Sequence, residues 1–327
     1  MRNLDRRRCL AYLAASALPL PAFAQQGGYP NRNVRMVVPY PAGGGNDVLA
    51  RALKVQWEKA WGQPVVIDNR PGGNGALGTE IVAKAPADGY TLLMGSIATH
   101  VTSPALKGKA SRYDPVKEFT PIALVGSTPL ILTVHPSVKA NNLKEFIALA
   151  KSKKEGISYA SVGNGSAAHL AAALFEQMAG VEMLHVPYRG ISQASTELAG
   201  GMVNAAFSNV LNVLPLIRSG KLRAIGITGT QPLSILPDVP PIAQAVPGYS
   251  AELWWGVFGP AGLPAEVVKK IHDETNTYLQ SAEAKKRWAE DGITLATMSQ
   301  PDFVAQIARD AKRWGELITT RRITEDS

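Results

Sequence analysis

The sequence predicts a two-lobed α/β protein in which both chain ends build a first lobe and a second lobe is inserted between them. Three observations point there. Short β-branched runs alternate with longer helix-patterned stretches in both halves of the chain, the pattern of a parallel sheet with helices on its faces. Two such runs, 122–125 and 130–134, follow one another with hardly any helix between them, as a passage between lobes requires. A proline-rich loop at 232–241 then precedes an apolar run at 254–258 that reads as a return strand. These features place the first lobe at 29–125 plus 254–327 and the second at 126–253.

Taken in order, the first half reads as strand 34–38, helix 47–61, strand 65–67, helix 75–85 and strand 91–94. The second half repeats the alternation. Helix 143–153, strand 158–160, helix 166–178, strand 183–186, helix 192–199 and strand 205–207 follow, and strand 222–227 closes the block. Two helices, 265–279 and 300–317, finish the chain. No heptad or 20–50-residue repeat is visible.

Ahead of the fold lies an address. Arg2, Arg6, Arg7 and Arg8 form a basic start, an apolar core runs over 10–20, and Ala22-Phe23-Ala24 offers small residues for cleavage. The core is too short to span a bilayer, which takes about 20 residues. Export to the periplasm with cleavage after Ala24 is expected. Cys9, the single cysteine, precedes the apolar core, so the mature chain has neither disulfide nor thiolate chemistry. The formal charge is +8, and residues 1–24 hold four arginines and one aspartate, so the mature chain carries +5. No basic stripe interleaved with aromatics is present, which argues against nucleic acid. A mild positive field favours anionic ligands.

Three glycine-rich segments each follow a predicted strand and open a predicted helix. They are Pro39-Tyr40-Pro41-Ala42-Gly43-Gly44-Gly45-Asn46-Asp47, Asn69-Arg70-Pro71-Gly72-Gly73-Asn74-Gly75-Ala76-Leu77-Gly78 and Ser161-Val162-Gly163-Asn164-Gly165-Ser166. Such turns present unpaired N–H groups at a positive helix end, and glycine lets a ligand approach the backbone closely. The plainer alternative is that they are tight turns, with Asn46 and Ser166 as helix caps. Three such loops divided between two lobes favour an anion site at the carboxyl ends of strands.

Residues 73–78 match G-x-G-x-x-G literally, but the next strand ends at Gly95-Ser96 instead of an acidic residue, so a dinucleotide is not expected. G-x-S-x-G is absent, and the histidines at 100, 135, 169, 185 and 272 have no metal-binding spacing. No catalytic residue, metal or cofactor is therefore expected. His169 and Tyr188 could each face the cleft or simply pack, and Asp47 could cap its helix or meet the ligand.

These residues resemble the Bug-type tripartite tricarboxylate transporter (TTT) periplasmic solute-binding protein family. The resemblance rests on 37–47 with Ala50-Arg51, on Asn69-Arg70-Pro71-Gly72-Gly73 and on Asp88-Gly89-Tyr90-Thr91-Leu92-Leu93. It continues through Tyr159-Ala160-Ser161, His169-Leu170, Val186-Pro187-Tyr188-Arg189-Gly190 and Gly220-Lys221-Leu222-Arg223-Ala224. Order and spacing hold from Tyr29 to the C-terminus. The resemblance implies a periplasmic binding protein type II-like fold, two α/β lobes joined by two crossing strands with a ligand cleft between them. It implies a non-enzymatic, monomeric receptor that closes on a dicarboxylate, tricarboxylate or aromatic carboxylate and delivers it to large and small integral-membrane subunits. Carried over, it nominates Tyr40, Ala42, Gly43, Gly44 and Asp47 with Gly73, Asn74 and Ala76 for the carboxylate. Ser96, Thr99, Ser161, Ser166, His169 and Tyr188 are implied around the far end. Where relatives often carry acidic residues, this chain has Asn204 and Ser208, which suits a neutral or anionic distal group if either faces the cleft. A periplasmic sensor of the same fold is the alternative, and an exported hydrolase a weaker one, lacking a visible nucleophile–base pair.

Overall fold

Val34, Met36, Val37 and Val38 are fully buried, and the strand they form, β1 (Val34–Val38), sits between two parallel neighbours. These are β2 (Val65–Asn69) and β3 (Thr91–Ser96). The structure, a computed structural model, describes residues 28–152 and 156–324. The expected leader, 1–24, and the predicted helix end at 153 lie outside the described residues. Residues 28–31 belong to a separate N-terminal unit, and all that follows concerns the unit that begins at Arg32.

The second half repeats the first. There β5 (Ser158–Ser161) lies between β6 (Leu184–Pro187) and β7 (Ala205–Asn209), all parallel. Each trio is closed by an antiparallel strand: β9 (Glu252–Pro260) beside β3, and β4 (Phe119–Val134) beside β7. The strand order is β2-β1-β3-β9-β4-β7-β5-β6, with β8 (Arg223–Ile227) and β10 (Thr294–Leu295) also pairing with β4. Because β4 and β9 pair with each other from Phe119↔Pro260 to Pro129↔Glu252, they are the two strands that cross between the halves. This is the two-lobed type II-like arrangement.

Two expectations need correction here. The runs 122–125 and 130–134 are one 16-residue strand, β4. Pro129 does not break it, because its missing N–H falls where β4 changes partners: β9 pairs as far as Pro129, β7 pairs from Leu130 and β8 from Ile131. Second, Asn46 is not a cap; Gly44 occupies the N-cap of α1 (Gly45–Trp61) and no side chain caps it.

The helices α2 (Ala76–Ala83), α4 (Leu143–Lys151), α5 (Ala167–Ala179), α6 (Ile191–Ala199) and α8 (Ala265–Gln280) fall close to the predicted spans. Ser166 caps α5 as expected, accepting from the His169 N–H. Three helices were not anticipated. The short α3 (Ser103–Lys107) follows a single π-type turn, Ala98–Thr102, at the end of β3. A proline inside α7 (Val210–Arg218) reads as a breaker. In α9 (Ala282–Glu290) only Ala284 and Trp288 are buried, a weak apolar signal. The last helix, α10 (Gln300–Thr320), buries Phe303, Ile307, Trp314, Leu317 and Ile318 on one face. Just past its end Arg321 reaches Glu176 of α5 at 2.8 Å, tying the C-terminus to the second half.

Candidate ligand-binding site

The first two glycine-rich loops meet at the carboxyl ends of β1 and β2, and one carboxylate joins them. Asp47, on the first turn of α1, is 3% exposed. Its Oδ2 accepts from the Gly43 N–H at 2.9 Å and from Arg51 Nε at 2.8 Å, while Oδ1 accepts from Asn69 Nδ2 at 3.0 Å. Asn69 Nδ2 also donates to the Tyr40 carbonyl at 3.1 Å. The Arg51 hydrogen bond, seconded by the Gly43 and Asn69 donors, holds the Asp47 carboxyl at a pKa of about 2 against the cost of burial. Asp47 is thus fully ionised and occupied with shaping the loops.

The backbone between these partners is forced into the left-handed region. Gly72, Gly73, Asn74 and Gly75 have φ of 140°, 56°, 53° and 87° in succession, and Gly43 has 88°. This explains the glycines better than a turn alone, because an L side chain pays a penalty at each such position. Space also enforces some of them. A Cβ on Gly75 would lie 3.0 Å from Tyr40 Oη, and one on Gly45 would lie 2.7 Å from the Trp255 ring. Asn46 completes the frame: its Nδ2 donates to the Met94 carbonyl at 2.8 Å, and its Oδ1 accepts from Trp255 Nε1 at 3.1 Å. The Tyr40 hydroxyl lies 3.4 Å from the Asn74 carbonyl, its pKa raised by burial and lowered in part by Ser96.

The third loop is held differently, by two stacked imidazoles. The His169 and His185 rings lie 4.1 Å apart at 14°. His169 Nδ1 accepts from the Gly165 N–H at 3.0 Å, and His185 Nε2 lies 2.6 Å from Ser161 Oγ. Burial, with His185 close by, lowers the His169 pKa to about 4, and burial lowers His185 too, so neither ring is charged at neutral pH.

Three adjoining hollows open among these loops. One of about 420 Å³ is lined by Tyr40, Ala42, Gly44, Ser96 and Trp255. A second of about 200 Å³ is lined by Asn74, Ala98, Ser166 and Glu252. The third, about 90 Å³, is lined by Ser161, Val162, Ala194, Phe207 and Ser208. Leu253 borders all three, so they form one cleft. A wider, open groove of about 670 Å³ runs between α6 and α7, but none of the sequence-nominated residues lines it.

The nominated residues therefore divide. Tyr40, Ala42, Gly44, Asn74, Ser96, Ser161 and Ser166 border the cleft; Gly43, Gly73 and Ala76 shape the loops beside it. Thr99 is fully buried, its hydroxyl bonded to the N–H and carbonyl of Ser96. Tyr188 packs on the core of the second half, and its N–H donates to the Ser161 carbonyl at 2.9 Å. Asn204 is not brought to the cleft. It precedes β7 at the opposite end of the sheet, where its Oδ1 accepts from the N–H and hydroxyl of Ser158 at 2.8 and 2.9 Å. Ser208, at the other end of that strand, does line the third hollow. Sequence reading missed Leu253 and Glu252, took Asn46 only as a helix cap, and weighed Trp255 as a ligand wall but favoured packing. The only signal was their nearness to the first loop or to the return strand.

Comparison with known proteins agrees with the fold. The family model described as "Tripartite tricarboxylate transporter family receptor" matches residues 49–323. Protein BugT of Bordetella pertussis is 33% identical over 308 residues, spanning 94% of each chain. Among solved structures, R. palustris Rpa4515 with adipate is 33% identical with a TM-score of 0.75, covering 90% of this chain and 99% of that one. MatC from Rhodopseudomonas palustris with bound malate is 30% identical with a TM-score of 0.71, covering 89% of this chain and all (100%) of the other.

Proposed function

This chain belongs to the tripartite tricarboxylate transporter receptor family, and from that premise we propose that it captures a small carboxylate in the periplasm. The observation that carries the reading is the pair of main-chain loops joined through Asp47, with a third loop across the cleft. The carboxylate docks against N–H groups of 42–45 and 73–76, where glycines permit close approach. The second lobe, 126–253, then swings on β4 and β9 so that Ser161 and Ser166 cover the solute. The change of partner along β4 after Pro129 supports a hinge there. Closure is driven by contacts made only when both lobes touch the ligand, and the closed form is what the large and small membrane subunits recognise. Asp47, Thr99 and His169 act by positioning the loops.

The test is a thermal-shift screen of the mature protein against carboxylates, amino acids and sugars. A carboxylate at about 100-fold its dissociation constant should add about 2.7 kcal/mol of stability, a rise of a few degrees. Hits confined to sugars or simple amines would overturn the reading.

A further inference from the structure

The charge pattern of the cleft narrows the ligand class further. Among the described residues, no lysine or arginine lines any of the three hollows. Three cations beside the two first-lobe loops are engaged: Arg51 with Asp47, Arg70 with Asp68, and Lys107 with the Gly73 carbonyl at 3.3 Å. Among the described residues, the one acidic or basic residue in the cleft's lining is Glu252, on the hollow that holds Asn74 and not on the far one. It is fixed in place. Its Oε2 accepts from the Ser127 hydroxyl at 2.7 Å and its Oε1 from the Thr230 N–H at 3.3 Å. Gly229 allows that approach, since a Cβ there would lie 2.8 Å from Oε1. The far hollow is walled mainly by apolar groups, among them Val162, Ala194, Phe207 and Leu253. Its Ser161 hydroxyl is already bonded to His185, and neither stacked histidine supplies positive charge.

We propose that this receptor selects a single carboxylate carried on an uncharged, largely apolar body. The inference rests on the carboxylate-receptor reading above. One carboxylate is met by main-chain donors at the two first-lobe loops. A second would leave water for a compartment whose lining supplies no counter-charge. An apolar chain buries there against Leu253 and Phe207.

Three six-carbon acids that differ only at the far end test this: hexanoate, adipate and 6-aminohexanoate, titrated calorimetrically into the mature protein at neutral pH. Hexanoate should bind at least tenfold tighter than adipate. Across butyrate, pentanoate and hexanoate, affinity should rise about fourfold per methylene. Adipate binding as tightly as hexanoate, or a flat chain-length series, would overturn the proposal while leaving the carboxylate reading intact. Tighter binding of 6-aminohexanoate than of hexanoate would also overturn it. If sugars or simple amines bind and no carboxylate does, both readings fall together.

Discussion

Asp47 accepts from Gly43 and Asn69, on two different loops, at 2.9 and 3.0 Å, and from Arg51 of its own helix at 2.8 Å. Replacing it with alanine should lower stability by about 2 kcal/mol, the scale of a lost charge-assisted hydrogen bond. It should also weaken carboxylate binding at least tenfold, because Gly43 and Asn69 lose their shared anchor. Urea unfolding and calorimetry measure the two effects; stability lost with binding intact would refute the positioning role. The pH dependence follows from the depressed pKa. The contribution is fully present above the ordinary aspartate value of about 3.9 and fades as pH falls through about 2. In Asp47→Asn that acid-side loss should be missing, so the gap in melting temperature to the parent protein narrows between pH 4 and 2.

At the scale of elements, α10 joins the two halves through its buried face and through Arg321. Glu176 is 6% exposed; burial raises its pKa, against the lowering by the Met183 N–H and Arg321. A carboxyl raised in the folded state stabilises when protonated and costs stability once pH rises through its folded pKa. Arg321→Ala therefore leaves a buried carboxylate short of its partner and should cost about 2 kcal/mol at neutral pH, part of the pair being solvent-exposed. The deficit should shrink on acidification and in the double variant with Glu176→Gln, both readable by thermal melts across pH. Elements of this kind were only partly legible in the sequence. The strand–helix alternation and the three loops stood out because glycine, proline and β-branched residues act locally. The helix at 210–218 was hidden by Pro215, and the single strand at 119–134 by Pro129, because in each case tertiary partners overrode a local breaker. The cleft-lining role of Glu252 and Leu253 depends on which strand faces which across the molecule, and nothing within a few residues of either reports that.

For the molecule as a whole, the two halves are joined by β4 and β9, and the third loop lies close to α3. A Cβ on Gly165 would lie 2.6 Å from Leu106 Cδ1, so the second-lobe loop seats directly against α3. Gly165 also has φ 69°, which disfavours any larger residue by roughly 1–2 kcal/mol. Gly165→Val should therefore hold the lobes apart and reduce carboxylate affinity at least tenfold. Small-angle scattering provides the direct check. Saturating ligand should shrink the radius of gyration of the parent protein and leave that of Gly165→Val nearly unchanged. Equal compaction in both would exclude this contact as a condition of closure.

In the proposed binding mode the ligand's first carboxylate is gripped by backbone, and this bears on retargeting. Main-chain donors cannot be altered by exchanging side chains, whereas the walls of the far hollow consist of them. Substitutions at Val162, Ala194 or Ser208 could thus exchange one solute for another while the anchoring half stays as it is. A designer seeking sensors for different organic acids would keep residues 39–78 fixed and diversify only the opposite wall.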